Sequence, residues 1–191
     1  MECMTDSIGH ICGRFHPFHV QHLDYAEWAA SSSDKLVIGI TNADKYHIEQ
    51  EDKEGKRHKE KHNPFTYFER HQMIRAAVEE SSVEIPVDIM PFPINKPELW
   101  NNYASKDVTH YIKVAEEWHD EKAERLRKKG RKAVTGSRNR MVSGEEIRDR
   151  IAEGDISWKK DVPEAVAEYI QKNELEQRIR KLYNKNKSSR P

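Results

Sequence analysis

The chain is short of cysteine, of long apolar runs and of net charge, and each shortage removes a class of answers. Its two cysteines, Cys3 and Cys12, have no paired spacing, which argues against a disulfide framework or a thiolate zinc site and fits a reducing compartment. No stretch approaches the roughly 20 apolar residues needed to span a bilayer. The opening "MECMTDSIG" lacks the apolar segment of a secretion signal, so a cytoplasmic protein with no membrane partner is expected. The 33 Lys+Arg are matched by 33 Asp+Glu, so no global field draws nucleic acid, and none is expected as a partner.

What remains is 191 residues, 36% hydrophobic and 35% charged, enough for one core of ordinary size. A domain over 1–172 is expected, followed by a C-terminal helix and polar tail over 173–191. "SIGHIC" (7–12) reads as a first strand ending at Gly13, and Val20, Leu23, Ala26 and Ala30 follow at helical spacing. "KLVIGI" (35–40) has the continuous apolar pattern of a strand covered on both faces. Residues 44–62 are almost wholly charged and polar, the composition of a mobile surface loop. Thr66 with Glu69 signals a helix start, and Phe68, Met73, Ile74, Ala77 and Val78 are candidates for its buried stripe.

Further strands are expected at 84–90, at an edge or with a late start because of Pro86, at 107–114 and at 132–136. Between them lie the proline-rich loop 91–100 and a charged helix closed by Gly130. Later helices are expected from Gly144 and from Asp161, the latter with Pro163 in its first turn and Val162, Val166 and Ile170 on its apolar face. Repeated alternation of strand and helix implies an α/β domain with a mainly parallel sheet.

In such a sheet the loop after the first strand opens at the carboxyl edge, where ligands bind. "GRFHPFHVQH" (13–22) sits there. His19 and His22, three apart across a helix start, can present their imidazoles on one face. Gly13 permits close backbone approach, Arg14 offers a bidentate fork, and a helix N-terminus favours an anion, so phosphate is the natural guest. A single histidine here would read as a surface or capping residue; two with Arg14 point to chemistry. A metal is the weaker reading, because no third ligand stands at a supporting spacing. The second site is "VSGEEIRDR" (142–150), where Ser143 and Glu146 form a capping box and Arg148 projects one turn into the helix. Two anion sites at two helix starts suggest a nucleoside triphosphate.

Four segments in this order resemble the HxGH nucleotidyltransferases, most nearly the archaeal-type nicotinamide mononucleotide (NMN) adenylyltransferases. "GRFHPFH" is similar to that family's GRFQPFHxGH, "NPFTYFER" (63–70) to NPFTxxER, "VSGEEIRDRI" to ISGTEIRRRM, and "EGDISWKKDVPEAVAEYI" to its usual close. The resemblance implies a Rossmann-like three-layer sandwich around a five-stranded, mainly parallel sheet. It implies that a nucleoside monophosphate passes from a triphosphate to a phosphate-bearing acceptor, ATP and NMN giving NAD, with Mg²⁺ bridging the triphosphate.

Carried over by position, His19 and His22 would hold the α-phosphate while Arg14, Arg148 and Ser143 grip the departing phosphates. Gly13, Phe15, Gln21, Gly144 and Glu145 would line the nucleotide. Trp100 and Asn95, in the proline-rich loop, would face the acceptor, with Trp100 equally readable as a hydrophobic anchor. A homo-oligomer is within the family's habits. Three residues depart from the pattern: Gln21 stands at the glycine of HxGH, His16 at the glutamine of GRFQ, and Glu145 at the threonine of SGTE. These leave two rivals: a cytidylyltransferase acting on a phosphonate or small phosphate ester, and a non-catalytic nucleotide-binding protein.

Overall fold

The structure is a computed structural model describing residues 7–44, 59–114, 117–137 and 142–187. Most of the predicted surface loop therefore lies outside the described residues. The chain forms two compact units, one comprising 1–13, 24–41 and 82–141, the other 14–23, 42–81 and 142–191.

The first unit holds five strands: β1 (Ile8–Gly13), β2 (Lys35–Ile40), β3 (Val87–Pro91), β4 (Thr109–Val114) and β5 (Lys132–Ser137). They form one sheet in the order β3-β2-β1-β4-β5, and every pairing is parallel. The apolar run of β2 is explained by its place between β1 and β3, with Leu36 to Ile40 all buried. The strand starts late, at Val87 just after Pro86, and β3 lies at the sheet edge. Cys12, Phe92, Trp100, Ala104, Val108, Ile112, Ala123 and Leu126 make one buried cluster. Gly39 is obligatory in this packing: a Cβ there would lie 2.7 Å from Phe92 Cβ and 2.8 Å from His10 Nε2.

Helix α1 (Val20–Ala30) follows the first loop. It buries Gln21, Tyr25, Ala26 and Ala29, whereas Val20, Leu23 and Ala30 of the expected stripe are only half-buried. Helix α3 (Glu117–Lys128) packs on β4 and β5. The proline-rich segment is not wholly irregular: Pro97–Asn102 winds into a 3₁₀ helix beginning at its last proline.

The second unit is helical: α2 (Tyr67–Glu79), α4 (Gly144–Glu153), α5 (Glu164–Lys172) and α6 (Leu175–Lys187), with 3₁₀ turns at Glu60–His62 and Ile156–Asp161. Met73, Ile74, Ala77 and Val78 of α2 are buried, but Phe68 is 65% exposed. It stands five residues before Met73, about 140° round the helix, so the apolar stripe excludes it. The helix expected from Asp161 begins three residues later. Asp161 ends the preceding 3₁₀ turn with its carboxylate paired to Arg150, and Pro163 is the N-cap of α5. The C-terminal helix is packed against α4, α5 and the Glu60–His62 turn, burying Leu175 and Ile179. Among the described residues no helix is long and apolar enough to cross a membrane.

Candidate active site

Chain geometry builds the site from the second unit's first segment. Immediately after β1 the backbone turns sharply: Phe15 has φ 56, a left-handed conformation that costs a non-glycine residue free energy unless its surroundings impose it. Here the ring is 2% exposed, packed 5.4 Å from Phe18 and edge-on to His22 at 4.9 Å. The His16–Pro17 bond is cis.

Arg70 fixes the turn from the other side. Its guanidinium donates to the carbonyls of Arg14 and Asn42, each at 2.8 Å, and Asn42 also has positive φ. Burial lowers the Arg70 pKa to about 10, which leaves it charged at neutral pH. Nothing in the sequence reading assigned Arg70 a task, although it closes the segment "NPFTYFER". Its helix is aimed by a capping box between Thr66 and Glu69. Burial raises the Glu69 carboxyl, but the hydrogen bonds and charge of Arg178 and the Thr66 N–H outweigh it and hold the group below its usual range.

His19 precedes α1, and the first helical bonds run from His22 N and Leu23 N to its carbonyl. The two imidazoles stack with centroids 3.5 Å apart and planes at 23°, so they do share one face. The His19 backbone N–H donates to His22 Nδ1 at 3.2 Å. Because Nδ1 accepts, a neutral His22 carries its proton on Nε2. Gln21 is buried, and its Oε1 accepts from the Val142 N–H at 3.3 Å.

The second motif meets the first directly. Ser143 caps α4, its Oγ accepting from Glu146 N while the Glu146 carboxylate accepts from Ser143 N. The cap uses the hydroxyl as acceptor and leaves its hydrogen to donate elsewhere. Arg148, 4% exposed, donates from Nη1 to the carbonyl of His16. Gly144 makes this approach feasible, since a Cβ there would lie 2.6 Å from His16 O. Tyr183 of α6 hydrogen-bonds to Asp149 and Arg148; burial, against the Arg148 charge, pushes its hydroxyl pKa up to about 12. Glu145 is exposed in the first turn of α4.

Arg14, Phe15, His19, Gln21, His22, Ser143, Gly144, Glu145 and Arg148 thus belong to one unit. Gly13 closes β1 in the other, its carbonyl accepting from Thr41 N at 2.9 Å. Trp100 and Asn95 are also in that first unit. Trp100 is 1% exposed, its indole donating to Pro93 O at 3.0 Å and stacked on Phe92. In this conformation it anchors its loop. Asn95 Oδ1 lies 3.5 Å from Arg125, which donates to Ile94 O at 3.0 Å. Among the described residues no group of three His, Cys, Asp or Glu is arranged to hold a metal ion.

Stacked imidazoles, buried guanidiniums and a capped helix start form a donor-rich cradle of the kind a polyphosphate would need. A family model described as cytidylyltransferase-like matches residues 10–150, which contain both halves of this cradle. The chain belongs to the cytidylyltransferase-like family. It is a nucleotidyltransferase of the HxGH type, with a nucleoside triphosphate and a phosphate-bearing acceptor as the family's substrates.

A phosphonoformate cytidylyltransferase of Streptomyces viridochromogenes is 37% identical over 175 residues, covering 90% of this chain and 95% of that protein. A nicotinamide-nucleotide adenylyltransferase of Thermococcus kodakarensis is 32% identical over 178 residues, 91% of this chain and 87% of its own. Among solved structures, a Plasmodium falciparum nicotinic acid mononucleotide adenylyltransferase superposes with TM-score 0.54 at 16% identity, over 91% of this chain and 98% of that one. A bifunctional NMN adenylyltransferase/ADP ribose pyrophosphatase of Francisella tularensis gives 0.63 at 15%, over 94% of this chain and 53% of that one. These two likenesses establish the Rossmann-like nucleotidyltransferase fold.

Proposed function

We propose that the enzyme transfers a cytidylyl group from CTP to a small phosphonate or phosphate acceptor, releasing pyrophosphate. The observation that carries transfer chemistry is the convergence of His19, His22, Arg14 and Arg148 on one turn held by Arg70 and Gly144. An oxygen of the acceptor attacks the α-phosphorus in line; the Pα–O bond to the β-phosphate breaks and its electron pair leaves with pyrophosphate. No covalent enzyme intermediate is needed, so positioning and charge stabilisation do the work.

In this reading His22 donates from Nε2 to the α-phosphate, with His19 beside it. Arg14, Arg148 and the Ser143 hydroxyl neutralise charge on the leaving group. Apart from Glu145, the assigned side chains are cationic or neutral donors, a set that would suit a Mg²⁺ arriving with the triphosphate better than one caged by protein. That ion would supply further charge neutralisation on the phosphates.

The motifs alone favour ATP and NMN as substrates and NAD as product, and relatives at 30–32% identity support that second reading. Two observations reverse the order. Identity to the phosphonoformate cytidylyltransferase is higher, at 37%. Trp100, assigned to the acceptor in the NMN reading, spends a face on Phe92 and its N–H on Pro93.

The test supplies Mg²⁺ with equimolar ATP, CTP, GTP and UTP, and adds NMN or small phosphonates separately, with products identified by mass. A CMP conjugate supports the first reading, and NAD would replace it with the second. Thermal stabilisation by nucleotide without pyrophosphate release from any acceptor would make the protein a binder only.

A further inference from the structure

We infer that His16 is a ligand of the pyrophosphate moiety, a third imidazole contributed by the loop that leads to His19 and His22. Its residue is only 5% exposed, and among the described residues neither ring nitrogen has a hydrogen-bonding partner. The ring stacks on Phe65 at 5.9 Å with planes at 13°, a contact that a phenyl group would make equally well. Packing alone therefore does not account for two polar atoms left in a buried position.

The surroundings define the guest. Burial first, then the charges of Arg70, Arg148 and Arg14, hold His16 well below its usual pKa, so it is neutral at physiological pH. A neutral imidazole has one N–H to donate, and guanidinium groups have no lone pair to accept it. Two of these arginines already grip the loop itself, Arg148 at the carbonyl of His16 and Arg70 at that of Arg14. An oxyanion is the ligand that accepts from the imidazole and offsets three clustered cations together. A pyrophosphate group, carrying several negative charges over adjacent oxygens, matches that cluster better than a monoanion.

The inference rests on the nucleotidylyl-transfer reading, and its test separates the two. Binding of inorganic pyrophosphate is measured by calorimetry for the wild type, His16→Phe and His16→Gln, alongside ¹⁵N spectra of histidine-labelled protein in which the variants assign the His16 ring. Expected are a loss of ~10-fold or more in His16→Phe with its melting temperature preserved, substantial recovery in His16→Gln, and a shift of the wild-type His16 nitrogens on saturation. Unchanged affinity in a folded His16→Phe overturns the inference, as do His16 nitrogens that stay put while pyrophosphate saturates the site. Should His16→Phe fail to fold, the wild-type spectra assigned through His16→Gln decide. A wild type that binds no pyrophosphate at millimolar concentration overturns the transfer reading, and this inference with it.

Discussion

The side-chain oxygen of Gln21 accepts a hydrogen bond from the backbone N–H of Val142, 121 residues away. It ties the first turn of α1 to the residue that precedes the cap of α4, so two motifs distant in sequence are held in register by a side chain where the related HxGH pattern has glycine.

Gln21→Met keeps the length and helix propensity of the side chain but strands a buried N–H. An unmet buried donor costs about 1–3 kcal/mol. Urea unfolding should show that loss, and steady-state kinetics should show a several-fold higher KM for the triphosphate, because Ser143 and Arg148 lose their register. A variant with wild-type stability and KM would reduce Gln21 to filler.

Arg70→Lys preserves the charge and removes the fork. One ammonium cannot reach the carbonyls of both Arg14 and Asn42, two residues flanking or occupying positive-φ positions. Lysine should cost about 2–4 kcal/mol and lower kcat/KM by at least ~10-fold, since the turn that presents the histidines loosens. Activity falling with stability untouched would mean that Arg70 contacts substrate instead.

The strands and the start and stop of most helices were legible from the sequence because each depends on a local pattern: the apolar run of β2, Pro86 before an edge strand, the Thr66 and Ser143 caps. Phe68 was misread because it is apolar yet sits off the stripe that Met73 and Ala77 define. Asp161 was misread because a distant partner, Arg150, claims the carboxylate that would otherwise cap. In the site, residue types and spacing singled out His19, His22, Arg14 and Arg148, and the structure places all four in one unit. The roles of Arg70, Gln21 and Tyr183 were hidden, since each acts through a long-range contact. Gln21 left a trace as a departure from the HxGH pattern and Arg70 as the arginine of "NPFTYFER"; Tyr183 left none.

Gly144→Ala tests the contact between the two motifs with one methyl group. The new carbon would lie 2.6 Å from the His16 carbonyl, a backbone atom with little freedom to retreat. The start of α4 must move away, and the Arg148 bond to that carbonyl lengthens. Overpacking of this kind costs about 1–3 kcal/mol, and triphosphate affinity should drop ~10-fold by calorimetry. Equal affinity would show that α4 and the loop need not touch for binding.

A buried histidine pair in the sheet unit should set its acid limit. His10 and His110 face each other across β1 and β4 with Nδ1 atoms 2.9 Å apart, so one donates and the other accepts. Burial lowers both, with the charges of His110, Lys122 and Arg131 adding to His10 and those of Arg131 and Lys122 to His110, which falls to about 3. The unfolded chain binds protons at these residues near 6.5, while the folded chain refuses them until far lower. Stability from the pair is therefore complete above pH 6.5 and is lost as the pH falls, by up to about 1.4 kcal/mol per pH unit for each histidine. Urea midpoints measured from pH 7 down to pH 4 should fall steeply in the wild type. The double variant His10→Leu/His110→Leu, which removes the titrating atoms from an apolar surrounding, should have a shallower acid limb. If the two slopes coincide, the pair is not the source of the acid sensitivity.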